Sequence, residues 1–142
     1  MNEITLTGWT ILDEARGMLR AAVAGVPADG WQRPTPCTEW NVAQVLQHAA
    51  LDQRAWGAAV GGTESPGENP FAPSGQLGSE PLAYAGAALE ASAPAWTAIG
   101  DEDTVPTPLP QGPMPPLEPE PGADDAAALL GYLGRRPAWR SS

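Results

Sequence analysis

The chain has 142 residues, carrying 17 acidic side chains against 7 basic ones for a formal net charge of −10. That length fits one domain able to bury roughly two-thirds of its unfolded surface, and the acidity argues against a nucleic-acid partner. No apolar run approaches the ~20 residues of a bilayer span, and Met1-Asn2-Glu3 lacks the positive start of a signal peptide, so no membrane is expected and the chain reads as cytoplasmic.

Trp9, Leu12, Leu19, Val23 and Val26 recur at helical spacing until Pro27-Ala28-Asp29-Gly30 stops them, which predicts a first helix over about 5–26. Thr38 is a suitable N-cap, with Glu39 placed to complement the helix dipole. A second helix is expected over about 38–60, its apolar stripe being Val42, Val45, Leu46, Ala49, Trp56 and Val60, with Gly61-Gly62 as its end. Glycines, prolines and serines from Thr63 to Gly78 mark a loop. Ser79 then caps a third helix over about 79–99, with the stripe Leu82, Ala85, Leu89, Ala93 and Trp96, which Pro94 should kink or divide.

Between Pro106 and Pro121 there are 8 prolines in 16 residues, so the stretch 104–122 is expected as an extended connector. Asp124-Asp125 opens a short final helix over about 124–136, with Ala128, Leu129, Tyr132 and Leu133 apolar and Arg135-Arg136 at its positive-favouring end. Period-2 alternation of sheet length is missing, and the fold class is all-α, an incomplete up-down helical bundle.

Three side chains carry candidate chemistry. His48 is the only histidine, and Asp52 lies four residues on, so both share one helix face. Such a pair is either a hydrogen-bonded pair at the core edge or a metal ligand with the carboxylate that orients it, and a metal site normally wants three or more protein ligands. Cys37, the only cysteine, stands just before the expected helix start. There the dipole would lower a thiol pKa, although no neighbouring base is evident and it reads equally as a small packed apolar residue. Phosphate loops, paired-cysteine zinc motifs and serine nucleophile elbows do not occur.

The stretch Trp31-x-x-Pro34-Thr35-Pro36-Cys37-Thr38-Glu39-Trp40-Asn41-Val42, followed by Val45-Leu46-Gln47-His48, resembles the signature of the mycothiol-dependent maleylpyruvate isomerase N-terminal domain family. This is a group of DinB-like helical bundles common in actinobacteria, and the resemblance is to its small metal-binding members. The tail Leu129-Leu130-Gly131-Tyr132-Leu133-Gly134-Arg135-Arg136-Pro137-Ala138-Trp139 is similar to the way such chains end. The resemblance implies a four-helix bundle holding a divalent metal, usually zinc, with His48 as one ligand and an acidic residue and a histidine from a later helix as the others. It also implies mycothiol as the thiol of a transferase or isomerase. The chain departs from this pattern where the later ligand-bearing helix belongs, passing directly into Leu117-Glu118-Pro119-Glu120-Pro121.

Two expectations follow from that departure. The zinc ligand set is incomplete within one copy, and the bundle would expose apolar surface that a second copy could cover, so a homodimer is expected, with two copies of His48 as a potential shared site. The alternative function is a metal-free bundle binding a small molecule or a protein in the same cavity, or an inactive shortened relative.

Overall fold

The computed structural model describes residues 5–78, 80–106 and 108, all within the compact unit Met1–Pro108. The helix expected at 124–136 and most of the proline-rich connector lie outside the described residues. Three helices and no strand form among them: α1 (Thr10–Ala24), α2 (Val42–Gly61) and α3 (Pro81–Thr97). The all-α reading holds.

Helix boundaries are tighter than the periodicity suggested. Before α1, Thr7 and Gly8 donate their backbone N–H groups to Asp13 at 2.9 and 3.2 Å, and Thr7 Oγ1 donates at 2.7 Å, so residues 5–9 fold back over the first turn instead of extending it. The start of α2 moves from Thr38 to Asn41, because Asn41 and Gln44 complete a capping box: Gln44 N–H donates to Asn41 Oδ1, and Asn41 N–H donates to Gln44 Oε1, each at 2.9 Å. Two donors satisfied reciprocally outweigh the single one Thr38 offers. Glu80 caps α3 through Ala83 N–H at 3.3 Å, with Pro81 in the first turn, where a missing N–H costs nothing. Pro94 lies inside α3 without ending it.

α3 is the central element. It packs extensively on α2 and on α1, whereas α1 and α2 scarcely touch. Arg16 and Leu89, and Trp9 and Trp96, pair early α1 residues with late α3 residues, so these two helices run antiparallel. Gly57 against Ser92 and Gly61 against Ala95 advance together, so α2 and α3 run parallel and depart from the expected up-down order, the 62–80 segment being long enough to return the chain to the same end. The side chains at this seam are small because the backbones nearly touch: a Cβ on Gly57 would lie 3.1 Å from Ser92 Cα, and one on Gly61 would lie 2.5 Å from Ala95 Cα. The buried face of α2 is accordingly Ala43, Leu46, Gln47, Ala50, Leu51 and Gly57. That rotates it from the expected stripe, leaving Val42, Val45, Ala49, Trp56 and Val60 half-buried.

At the end of the bundle where α2 and α3 begin, Val23, Leu46 and Ala85 form a buried cluster flanked by Leu19, Trp31, Leu77 and Leu82. At the other end Trp56 and Trp96 lie 6.3 Å apart, ring to ring. Midway, Arg16 is 2% exposed. Its guanidinium donates to Thr5 O at 2.6 Å and Leu89 O at 2.9 Å and pairs with Asp13 at 3.3 Å, joining the N-terminal segment, α1 and α3. A buried arginine is tolerated where its terminal nitrogens are paired in this way; among the described residues its Nε–H has no acceptor.

Candidate functional site

The loop that leads into α2 is itself ordered by short-range hydrogen bonds. Ala43 N–H donates to Trp31 O at 2.9 Å and Val42 N–H to Arg33 O at 3.1 Å, while Pro34 and Asn41 form an isolated β-bridge. Thr35 Oγ1 donates to Trp40 O at 2.8 Å and accepts from Cys37 N–H at 3.1 Å. These contacts close the Pro34–Asn41 segment into a compact turn that fixes Trp40 beside the first turns of α2.

His48 sits against that turn, half-buried between two aromatic rings. The Trp40 centroid is 4.9 Å from the imidazole and that of Phe71 is 5.6 Å away. Its Nδ1 lies 2.6 Å from the carbonyl oxygen of Pro70. A carbonyl only accepts, so Nδ1 donates to it, and the tautomer that this selects for the neutral ring has its lone pair at Nε2. The ring is held in one tautomer and one orientation, as an electron-pair donor requires.

The same loop is pinned by the neighbouring residue. Gln47 is 1% exposed and accepts from Gly75 N–H at 2.7 Å, while its amide donates to Glu68 Oε2 at 2.9 Å, Gln76 O at 3.1 Å and Ser74 Oγ at 3.3 Å. On α3, burial pushes the Tyr84 phenol above its ordinary value. Consecutive residues of α2 therefore organise the 63–78 segment, Gln47 from inside and His48 from the rim. Gln47 and Trp40 stand in the family signature without a role of their own, and Phe71 lies in a loop that sequence reasoning passes over. A glutamine on an otherwise apolar face, next to a loop rich in unpaired backbone groups, is the signal that could have found the first.

The other candidates stand apart from this arrangement. Asp52 is half-buried and makes no hydrogen bond to His48 among the described residues; the Pro70 carbonyl takes the role expected of it. Cys37 is a free, exposed thiol. With α2 starting at Val42, it lies well ahead of the helix, and its backbone rather than its thiol enters the turn's hydrogen bonds. Among the described residues, no group of three His, Cys, Asp or Glu side chains could hold a metal ion. The described residues do not by themselves fit the zinc site that the family resemblance implies.

No curated protein and no solved structure matches the chain. The family model of the mycothiol maleylpyruvate isomerase N-terminal domain matches residues 12–130, which takes in α1 from Leu12 onward, all of α2 and α3, and the Trp40–His48–Phe71 cluster. The chain belongs to the mycothiol maleylpyruvate isomerase N-terminal domain family.

Proposed function

We propose that the protein binds a low-molecular-weight thiol, mycothiol in its family context, at His48, and that Nε2 of this residue accepts the thiol's hydrogen bond and proton. The observation that carries the reading is the Nδ1 contact to Pro70 O at 2.6 Å, which leaves Nε2 as the one basic atom of a ring clamped by Trp40 and Phe71. An imidazole beside a thiol favours the thiolate, the nucleophilic form that thiol-dependent transfer or isomerisation uses. The aromatic faces on either side offer apolar contact to the body of the ligand. No second imidazole is available in this sequence to share the role.

A single histidine makes the test direct, because imidazole ¹⁵N spectra contain one residue's signals. Titration with mycothiol should move the Nε2 signal toward the protonated position, and the S-methyl derivative should leave it in place. Unmoved signals at saturating mycothiol would defeat the reading. A response to mycothiol that requires added zinc would replace it with the metal-held alternative, for which the Nδ1–H to carbonyl contact is also the usual orientation.

A further inference from the structure

At the opposite end of the bundle from His48, the start of α1 and the end of α3 border an open cavity of about 710 Å³. That volume lies in the range of small-molecule sites. Its walls are apolar: Trp9, Ile11, Leu12, Trp96, Ile99 and Val105. The Trp9 indole N–H donates to Trp96 O at 3.0 Å, so one wall is locked to the other and the cavity is preformed. The Trp96 indole N–H is buried and has no acceptor among the described residues.

Two carboxylates, Asp101 and Asp103, complete the lining. Asp103 Oδ2 accepts from Gly100 N–H at 2.8 Å, which anchors it at the rim. No arginine lines the cavity, and among the described residues neither aspartate is in an ion pair. Indole faces attract cations through their quadrupoles, and a low-dielectric wall strengthens the attraction of nearby carboxylates. A chain of net charge −10 adds to that preference.

We infer that this cavity is a binding site for a small apolar cation, an aryl or alkyl ammonium whose hydrocarbon body fills the tryptophan-walled space and whose charge meets Asp101 and Asp103. The site is separate from His48 and does not depend on thiol binding there. An anion of the same shape would be excluded, and a neutral analogue would bind through its apolar body alone.

Calorimetry on the full chain with 2-naphthylmethylammonium, 2-naphthylmethanol and 2-naphthoate tests this. The ammonium should bind saturably at one site per chain, about tenfold or more tighter than the alcohol, with the carboxylate weakest. The double variant Asp101→Asn with Asp103→Asn keeps an acceptor for Gly100 N–H and should bring the ammonium down to the alcohol's affinity. Ala15→Phe projects from an exposed position into the lining and should abolish binding while circular dichroism stays unchanged. The His48 ¹⁵N signals should not move during the titration, which separates this site from the thiol reading. Equal affinity for alcohol and ammonium, preference for the carboxylate, retained binding in Ala15→Phe, or no saturable binding by any probe would each overturn the proposal.

Discussion

Gly61 of α2 and Ala95 of α3 approach so closely that a β-carbon on Gly61 would lie 2.5 Å from both Cα and Cβ of Ala95. The obstructing atoms include backbone, which cannot rotate away. Gly61→Ala should therefore destabilise the protein by about 1–3 kcal/mol through overpacking, less the ~1 kcal/mol that alanine gains over glycine in a helix. Gly17→Ala on α1 meets nothing within 4 Å and should raise stability by about 0.5–1 kcal/mol. Urea unfolding of the two variants should give midpoint shifts of opposite sign.

Replacing Arg16 by Met removes the one side chain that ties Thr5, Asp13 and Leu89 together. The loss should cost about 1–3 kcal/mol, because the Thr5 and Leu89 carbonyls lose a buried charged donor while Asp13 keeps its Thr7 and Gly8 donors. Hydrogen exchange should show the protection of the Thr7 and Gly8 amides falling before that of α2.

Stability should also fall in acid through the same N-terminal segment. Hydrogen bonds from the Thr7 backbone hold the Asp13 carboxyl below its ordinary 3.8, and the Thr5 hydroxyl, with the Thr5 backbone, holds that of Glu90 below its ordinary 4.5. Both pKa values are lowered in the folded state, so their contribution is complete above the ordinary values and is lost as pH falls through the lowered ones. Exchange rates at the Thr5 and Thr7 amides, corrected for intrinsic pH dependence, should rise below about pH 4. Asp13→Asn and Glu90→Gln should flatten that rise at Thr7 and Thr5 respectively.

Gln47→Leu preserves side-chain bulk but leaves the Gly75 N–H without its acceptor. The 63–78 segment should loosen, with Pro70 O withdrawing from His48 Nδ1. The single imidazole should then show a mixture of tautomers in ¹⁵N spectra, and mycothiol affinity should drop by about tenfold if one oriented hydrogen bond is lost.

What could be read in advance divides by residue size. Leu46, Leu89 and Val23 announced the inward faces through their spacing, and all three are buried. On α2 the large residues misled, since the tight seam is made by Ala43, Ala50 and Gly57, and hydropathy gives little weight to a residue whose contribution is the absence of a side chain. Arg16 escaped notice because a charged residue on an apolar stripe reads as solvated until its long-range partners, Thr5 O and Leu89 O, are known. His48 was evident as the lone imidazole, but its partner was not. Pro70 contributes a backbone oxygen from 22 residues away, which leaves no trace in side-chain pattern.

The parallel seam between α2 and α3 also bears on the order in which the molecule assembles. These two helices are consecutive in the chain, and Gln47 pins their connecting segment, so pairing Gly57 with Ser92 closes a shorter loop than pairing Arg16 with Leu89. α1 must instead be captured across the longer separation from Arg16 to Leu89, and it meets α2 chiefly at the cluster of Val23 and Leu46. Folding should thus pass through a transition state in which the glycine seam has formed and α1 is still searching. Substitutions at Ala85 or Leu46 would slow folding, whereas those at Arg16 would chiefly hasten unfolding.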